Sequence, residues 1–239
     1  MFSRSLVKPI LLFSACLMSI IIAFQALTPS KKEKSLVEAA CTFANLEPQC
    51  FESNETWKEG LAYYDSVLAI SHDTISAVKS LFWEHWQLKF AGADHAQTPE
   101  LILPTKILEE KNTGCVGVSW LALMLAEVRG IQAQAYLIPG HMYFSVNGRN
   151  FEPNREGFNY SHEEYRKKYA AGSWDAAMQK ALYRNQFLGI VAFNLGNAKL
   201  ESDPQAALAW YKVAAEFFPA YPKIRDNRRI ALRKLDERK

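Results

Sequence analysis

The sequence predicts an α+β fold, and three observations carry that prediction. Apolar residues recur at helical spacing through 36–91. The stretch "CVGVSWLALMLAEVRGIQAQAYLIPGHMYFSVNGRNFEPN" then reads as a helix, a strand and a hairpin, and helical patterning resumes after Gly157. With 239 residues, 49% hydrophobic and 22% charged, the chain has apolar material for one sizeable domain plus an appendage. A formal net charge of +3 gives no reason to expect a nucleic-acid partner. The most basic stretch, "KIRDNRRIALRKLDERK", interleaves its charges with Ile230, Leu232 and Leu235, as the solvated face of a helix does.

The first element is a membrane segment over residues 1–34. A basic start, "MFSRSLVK", leads into a charge-free apolar run over 9–27, long enough to cross a bilayer at the short end of the usual range. Ala26, with Phe24 two positions before it, makes a poor signal-peptidase site, so an uncleaved signal-anchor is expected. Lipidation at Cys16 in "FSAC" is the alternative, although the apolar run continues past that cysteine. Lysines flank the span on both sides, so the positive-inside rule does not orient it. A single N-terminal span before one soluble body usually exports that body, which places it extracytoplasmically, in the periplasm or at the cell surface. Cys41 and Cys50 flank a short loop and are either a disulfide in such a compartment or two buried thiols. Cys115 is then left over.

Through the next segment, "TISAVKSLFWEHWQLKF" carries Ile75, Val78, Leu81, Phe82, Trp86 and Phe90 on one helical face. Gly and Pro interrupt it before a short helix in "TKILEEK". Thr113-Gly114 and Gly130 then bracket an apolar helix of about four turns, with Cys115 in its first turn. Unpaired N–H groups and the positive end of the dipole favour a thiolate there, although most lone cysteines are small buried hydrophobes. "AQAYLI" is a strand, Pro139-Gly140 a turn, and "HMYFSV" and "RNFE" are strands joined by Asn147-Gly148, a strong hairpin signal. A two-residue loop pairs Val146 with Arg149, Ser145 with Asn150 and Tyr143 with Glu152, and sets His141 opposite Asn154. His141, Glu152 and Asn154 then share a face. That gives an imidazole two neighbours able to orient it, Glu152 and Asn154, with a helix-start cysteine upstream.

This set has a chemical logic. An imidazole takes the thiol proton to form an ion pair and later protonates a leaving amine, while a third polar group fixes the ring. The backbone N–H of Cys115 is a candidate oxyanion donor. His72 and His85 sit in helical segments, and His95 and His162 in polar ones. No short ligand spacing combines them with a cysteine, so no metal and no cofactor is expected.

A helix-start cysteine, "PGH" on one strand and "EPN" on the next resemble the transglutaminase-like family, in the bacterial branch where tetratricopeptide helices follow the domain. The resemblance covers about residues 74–168, and it implies a papain/transglutaminase-like core with Cys115 as nucleophile, His141 as base and Glu152 as orienting group. The family's usual Asp-Pro-Thr is Glu152-Pro153-Asn154 here, so Asn154 stays a rival for the third role. "FLGIVAFNLGN" and "AKLESDPQAALAWYKVAAEFFPAYPK" are similar to one tetratricopeptide repeat, with Gly196 at a close-packing position and Pro219 ending the second helix. The expected domains are therefore 1–34 (anchor and linker), 35–172 (transglutaminase-like) and 173–239 (repeat-like helices). The expected function is a membrane-anchored cysteine enzyme that attacks a peptide or isopeptide amide through a thioester, with hydrolysis favoured over transfer. Its partners are a protein or peptide substrate and the membrane. The alternative is a non-catalytic envelope binding or assembly protein holding a protein partner on its C-terminal helices, where Trp210 and Tyr221 read as exposed aromatics.

Overall fold

A computed structural model describes residues 35–92 and 98–237. The anchor expected over 9–27, Cys16 within it, the linker up to residue 34, and His95 lie outside the described residues. Among the described residues no helix is long and apolar enough to cross a membrane. From Ser35 onward the described chain forms one compact unit with an α+β architecture.

Helix α1 (Leu36–Phe43) opens with a reciprocal Ser35–Glu38 capping box. Cys41, fully buried on α1, is disulfide-bonded to Cys50, which fixes the loop leading to α2 (Glu55–Ser71). Next, α3 (Thr74–Lys79), capped by Asp73, runs into a wide π turn at Ser80–His85, where the Trp86 N–H reaches five residues back to the Leu81 carbonyl. The wide turn brings Phe82 and Trp86 onto the same core, and Trp86 stacks on Trp57 of α2 at 5.8 Å. Gly60 makes room for that indole, since a Cβ there would lie 2.4 Å from its nitrogen. The helical reading through Phe90 is corrected here. Gln87 takes a left-handed backbone (φ 54), the Leu88 N–H bonds back to the Phe82 carbonyl, and Lys89–Phe90 become strand β1.

Two short helices, α4 (Pro99–Ile102) and α5 (Pro104–Glu110), lead to β2 (Asn112–Thr113), which pairs in parallel with β1. Helix α6 (Cys115–Arg129) follows at once and ends at Gly130 in the left-handed conformation (φ 64). It is buried on nearly every side and forms the axis of the fold, packing on α1, α4, α5 and the sheet. That sheet is an antiparallel meander of β3 (Ala133–Ile138), β4 (His141–Val146) and β5 (Arg149–Phe151). Its register pairs Val146 with Arg149 and Ser145 with Asn150, as the Asn-Gly turn requires.

The expected pairings of Tyr143 with Glu152 and His141 with Asn154 do not form. Strand β5 stops at Phe151, and Pro153, which has no N–H for a ladder, starts a 3₁₀ turn at Pro153–Arg155. The Glu152 N–H pairs instead with the Phe158 carbonyl at 2.9 Å. After α7 (His162–Lys168), the chain forms α8 (Arg184–Lys199), α9 (Pro204–Phe217) and α10 (Pro222–Asp236). Helices α8 and α9 run antiparallel, with Gly196 against the Tyr211 ring and Gly189 against Phe218. The Asn197 side chain accepts from Tyr211 of α9 at 2.8 Å and from Asn227 of α10 at 2.7 Å, tying the three helices together. Reading Trp210 and Tyr221 as exposed is also corrected. Trp210 packs on Phe43 of α1 with ring centroids 5.5 Å apart, and Tyr221 is only 3% exposed, edge-on to Phe193. Both rings complete the core.

Candidate active site

Cys115 is the first residue of α6. Gly114 caps that helix without a side chain, so no side-chain cap occupies its first-turn N–H groups. The turn is held where it is by close backbone packing. The Gly114 N–H donates to the Leu101 carbonyl at 3.0 Å, and Gly117 lets α6 lie directly on α4 and α5. A Cβ on Gly117 would stand 2.4 Å from the Leu101 carbonyl oxygen and 2.3 Å from the end of Ile107. Cys115 itself is half-buried.

His141 opens β4 directly after the Pro139-Gly140 turn, where Gly140 supplies a positive φ of 67°. Its ring is buried, and Nε2 faces both carboxylate oxygens of Glu152, at 3.0 Å from Oε1 and 3.1 Å from Oε2. Nδ1 is then the nitrogen left for the thiol. Glu152 is 2% exposed, and Oε1 also accepts the backbone N–H of Asn154 at 3.0 Å. The partner of the imidazole is therefore Glu152. Asn154 reaches that pair through its backbone, and its side-chain oxygen is buried without a hydrogen bond. All four residues anticipated from sequence thus lie in one cluster, although the side chain of Asn154 does not contact His141 through any hydrogen bond.

Electrostatics follow from this arrangement. Burial alone would raise the Cys115 thiol, but hydrogen bonding and charge from His141, with the Met142 backbone N–H, outweigh it and hold the thiol below its ordinary value. Burial would likewise lower the His141 imidazole. Its contacts with Cys115 and Glu152 prevail and push it up to about 9. Glu152 is lowered despite burial, by His141, the Asn154 N–H and the nearby Tyr165 hydroxyl. These directions favour a thiolate–imidazolium pair at neutral pH, with the carboxylate ionised behind it. Such a pair is a soft nucleophile beside a proton donor.

Two further residues were not singled out by sequence reasoning. Tyr169, at the end of α7, lies parallel to the His141 ring, with centroids 5.5 Å and planes 7° apart. Tyr165, one helical turn earlier, brings its buried hydroxyl toward Glu152 without forming a hydrogen bond of its own. Its ring stacks at 3.8 Å on Tyr143, whose hydroxyl meets His162 Nδ1 at 2.6 Å. The i, i+4 spacing of the tyrosines in "YRKKY" was the available signal, because it places both on the same helix face. A groove of about 430 Å³ lined by Leu46, Cys50, Leu103 and Leu108 lies apart from this cluster, beside the disulfide.

Comparison with known proteins adds no relative: no family model matches the chain, and no curated protein or solved structure matches it.

Proposed function

We propose that this chain is a membrane-anchored, transglutaminase-like cysteine enzyme that cleaves a peptide or isopeptide amide through a thioester. The observation that carries the reading is the continuous array Cys115–His141–Glu152, in which the thiol is lowered and the imidazole raised. In the first step the Cys115 sulfur attacks the amide carbonyl carbon, and the carbonyl oxygen takes the negative charge beside the Cys115 backbone N–H. As the tetrahedral adduct collapses, the C–N bond breaks and the departing amine takes the proton held on His141. Water then attacks the thioester, giving its proton back to His141, and the acid and the free thiol are released. Glu152 keeps the imidazole oriented and stabilises its charged form throughout. Hydrolysis is favoured over transfer because water needs no acceptor site.

Three features support the finer parts of this reading. A helix-start cysteine packed on an antiparallel sheet is what a papain/transglutaminase-like core needs. The close antiparallel α8–α9 pair, closed through Gly196 and Tyr211, agrees with a tetratricopeptide-like unit. The Cys41–Cys50 disulfide agrees with an oxidising, extracytoplasmic setting. The alternative, a non-catalytic envelope assembly protein, drew on exposed aromatics that are packed inward.

The test is to incubate the full chain in detergent with a peptide and isopeptide library and follow intact mass. The expected result is a hydroxylamine-labile acyl adduct on Cys115, with products that are absent for Cys115→Ala. Product formation that persists in Cys115→Ala refutes the assignment.

A further inference from the structure

Tyr169 is held too firmly to be an incidental neighbour of His141. Its N–H donates to the Tyr165 carbonyl at 3.0 Å, and its own carbonyl accepts from the Gly172 N–H at 2.9 Å and the Trp174 indole at 3.1 Å. Gly172 is pressed onto the turn that introduces His141, so that a Cβ there would lie 2.3 Å from the Pro139 side chain. Arg166 in turn covers the Trp174 ring at 5.0 Å. The result is a phenol ring parallel to the imidazole and offset over one of its faces, while Nε2 is turned to Glu152 and the ring also interacts with the thiol. The ionisable groups facing His141 are Cys115 from α6, Glu152 from the end of β5 and Tyr169 from α7, with Tyr165 beside Glu152.

We propose that Tyr169 is a positioning residue: its ring seals one face of His141 from water and holds the imidazole in line between Cys115 and Glu152. This rests on the cysteine-enzyme reading above. The physical reason is dielectric. Charges a few ångströms apart interact several-fold more strongly in a dry site than beside bulk water. An imidazolium against an aromatic face gains a further cation–π attraction. Opening that face relieves the burial that disfavours the charged ring, but it also screens both contacts that favour it. Full hydration returns a histidine to its ordinary value near 6.5, so partial hydration moves His141 downward from about 9. The thiol loses its cationic partner and moves upward.

The experiment follows Cys115 alkylation by iodoacetamide from pH 5 to 9 in the full chain, with site occupancy read by mass spectrometry and folding checked by thermal melting. Tyr169→Phe keeps the ring and is expected to reproduce the wild-type midpoint. Tyr169→Ala and Tyr169→Asn remove it and are expected to raise the midpoint by about one pH unit. Asn, which helix ends tolerate, carries the comparison where Ala folds poorly. Midpoints unchanged in both ring-less variants overturn the proposal, as does a Phe variant shifted as far as they are. A wild-type midpoint already near 8.5 is a different failure: it removes the ion pair itself, before any variant is compared.

Discussion

Gly117→Ala is the change that most directly couples the fold to the site. The added methyl meets two obstacles of different character. Ile107 can swing its terminal carbon away, but the Leu101 oxygen, 2.4 Å from the new Cβ, belongs to the backbone and already accepts the Gly114 N–H. Relief requires α6 to back away from α4, which breaks that bond and moves Cys115. Overpacking of this kind costs about 1–3 kcal/mol, and an unyielding backbone obstacle belongs at the upper end. Alanine in place of glycine returns about 1 kcal/mol of helix propensity. The net expectation is a loss of roughly 2 kcal/mol, or about 4–8 °C in melting temperature for a unit of this size. Thermal denaturation of the full chain measures it, and Cys115 alkylation at pH 6.5 reads the displacement of the thiol as slower labelling. A variant as stable and as reactive as wild type refutes the argument that this glycine seats Cys115.

Glu152→Gln and Asn154→Ala separate the two candidates for the third role. Glu152 repels the thiolate as well as attracting the imidazolium, but its contact with His141 is direct, at 3.0 Å, so attraction dominates. Its loss lowers the imidazole from about 9 and is expected to slow alkylation near neutral pH about tenfold. Asn154→Ala leaves the backbone donor to Glu152 in place and is expected to keep the wild-type profile; equal effects from both variants contradict this division. Gly196→Leu forces α8 off the Tyr211 ring, which a Cβ alone would approach to 2.5 Å; it is expected to cost on the order of 2 kcal/mol in denaturant unfolding. Replacing both Cys41 and Cys50 by alanine releases a short loop and is expected to cost roughly 2–3 kcal/mol in the same assay, with Cys115 reactivity unchanged.

What the sequence made legible was mostly local. The Gly114 and Gly130 boundaries of α6, the Pro-Gly turn and the Asn-Gly hairpin all follow from residues adjacent to the features they determine. The hairpin register brought His141 and Glu152 together on paper even though Glu152 leaves the strand, because its long side chain still spans the gap. Sequence could not choose between Glu152 and Asn154: that choice depends on how Pro153 turns the chain, which is set by packing beyond the hairpin. The wide turn at Ser80–His85 keeps the apolar spacing of an ordinary helix, so nothing in the pattern marked it. Trp210 and Tyr221 looked exposed only because their partners, Phe43 and Phe193, are distant in sequence or on another helix. Tyr169 was hidden for the same reason.

The central claim is that Cys115 rests as a thiolate paired with His141. The ratio of its alkylation rates at pH 8.5 and pH 6.0 in the full wild-type chain measures this without knowledge of the substrate. An ordinary thiol with a pKa near 8.5 becomes about 150-fold more reactive across that interval, because its thiolate fraction rises by that factor. A thiol held below its ordinary value by His141 has more of its thiolate formed at the lower pH, and is expected to change by well under that factor. A ratio near the larger value contradicts the account.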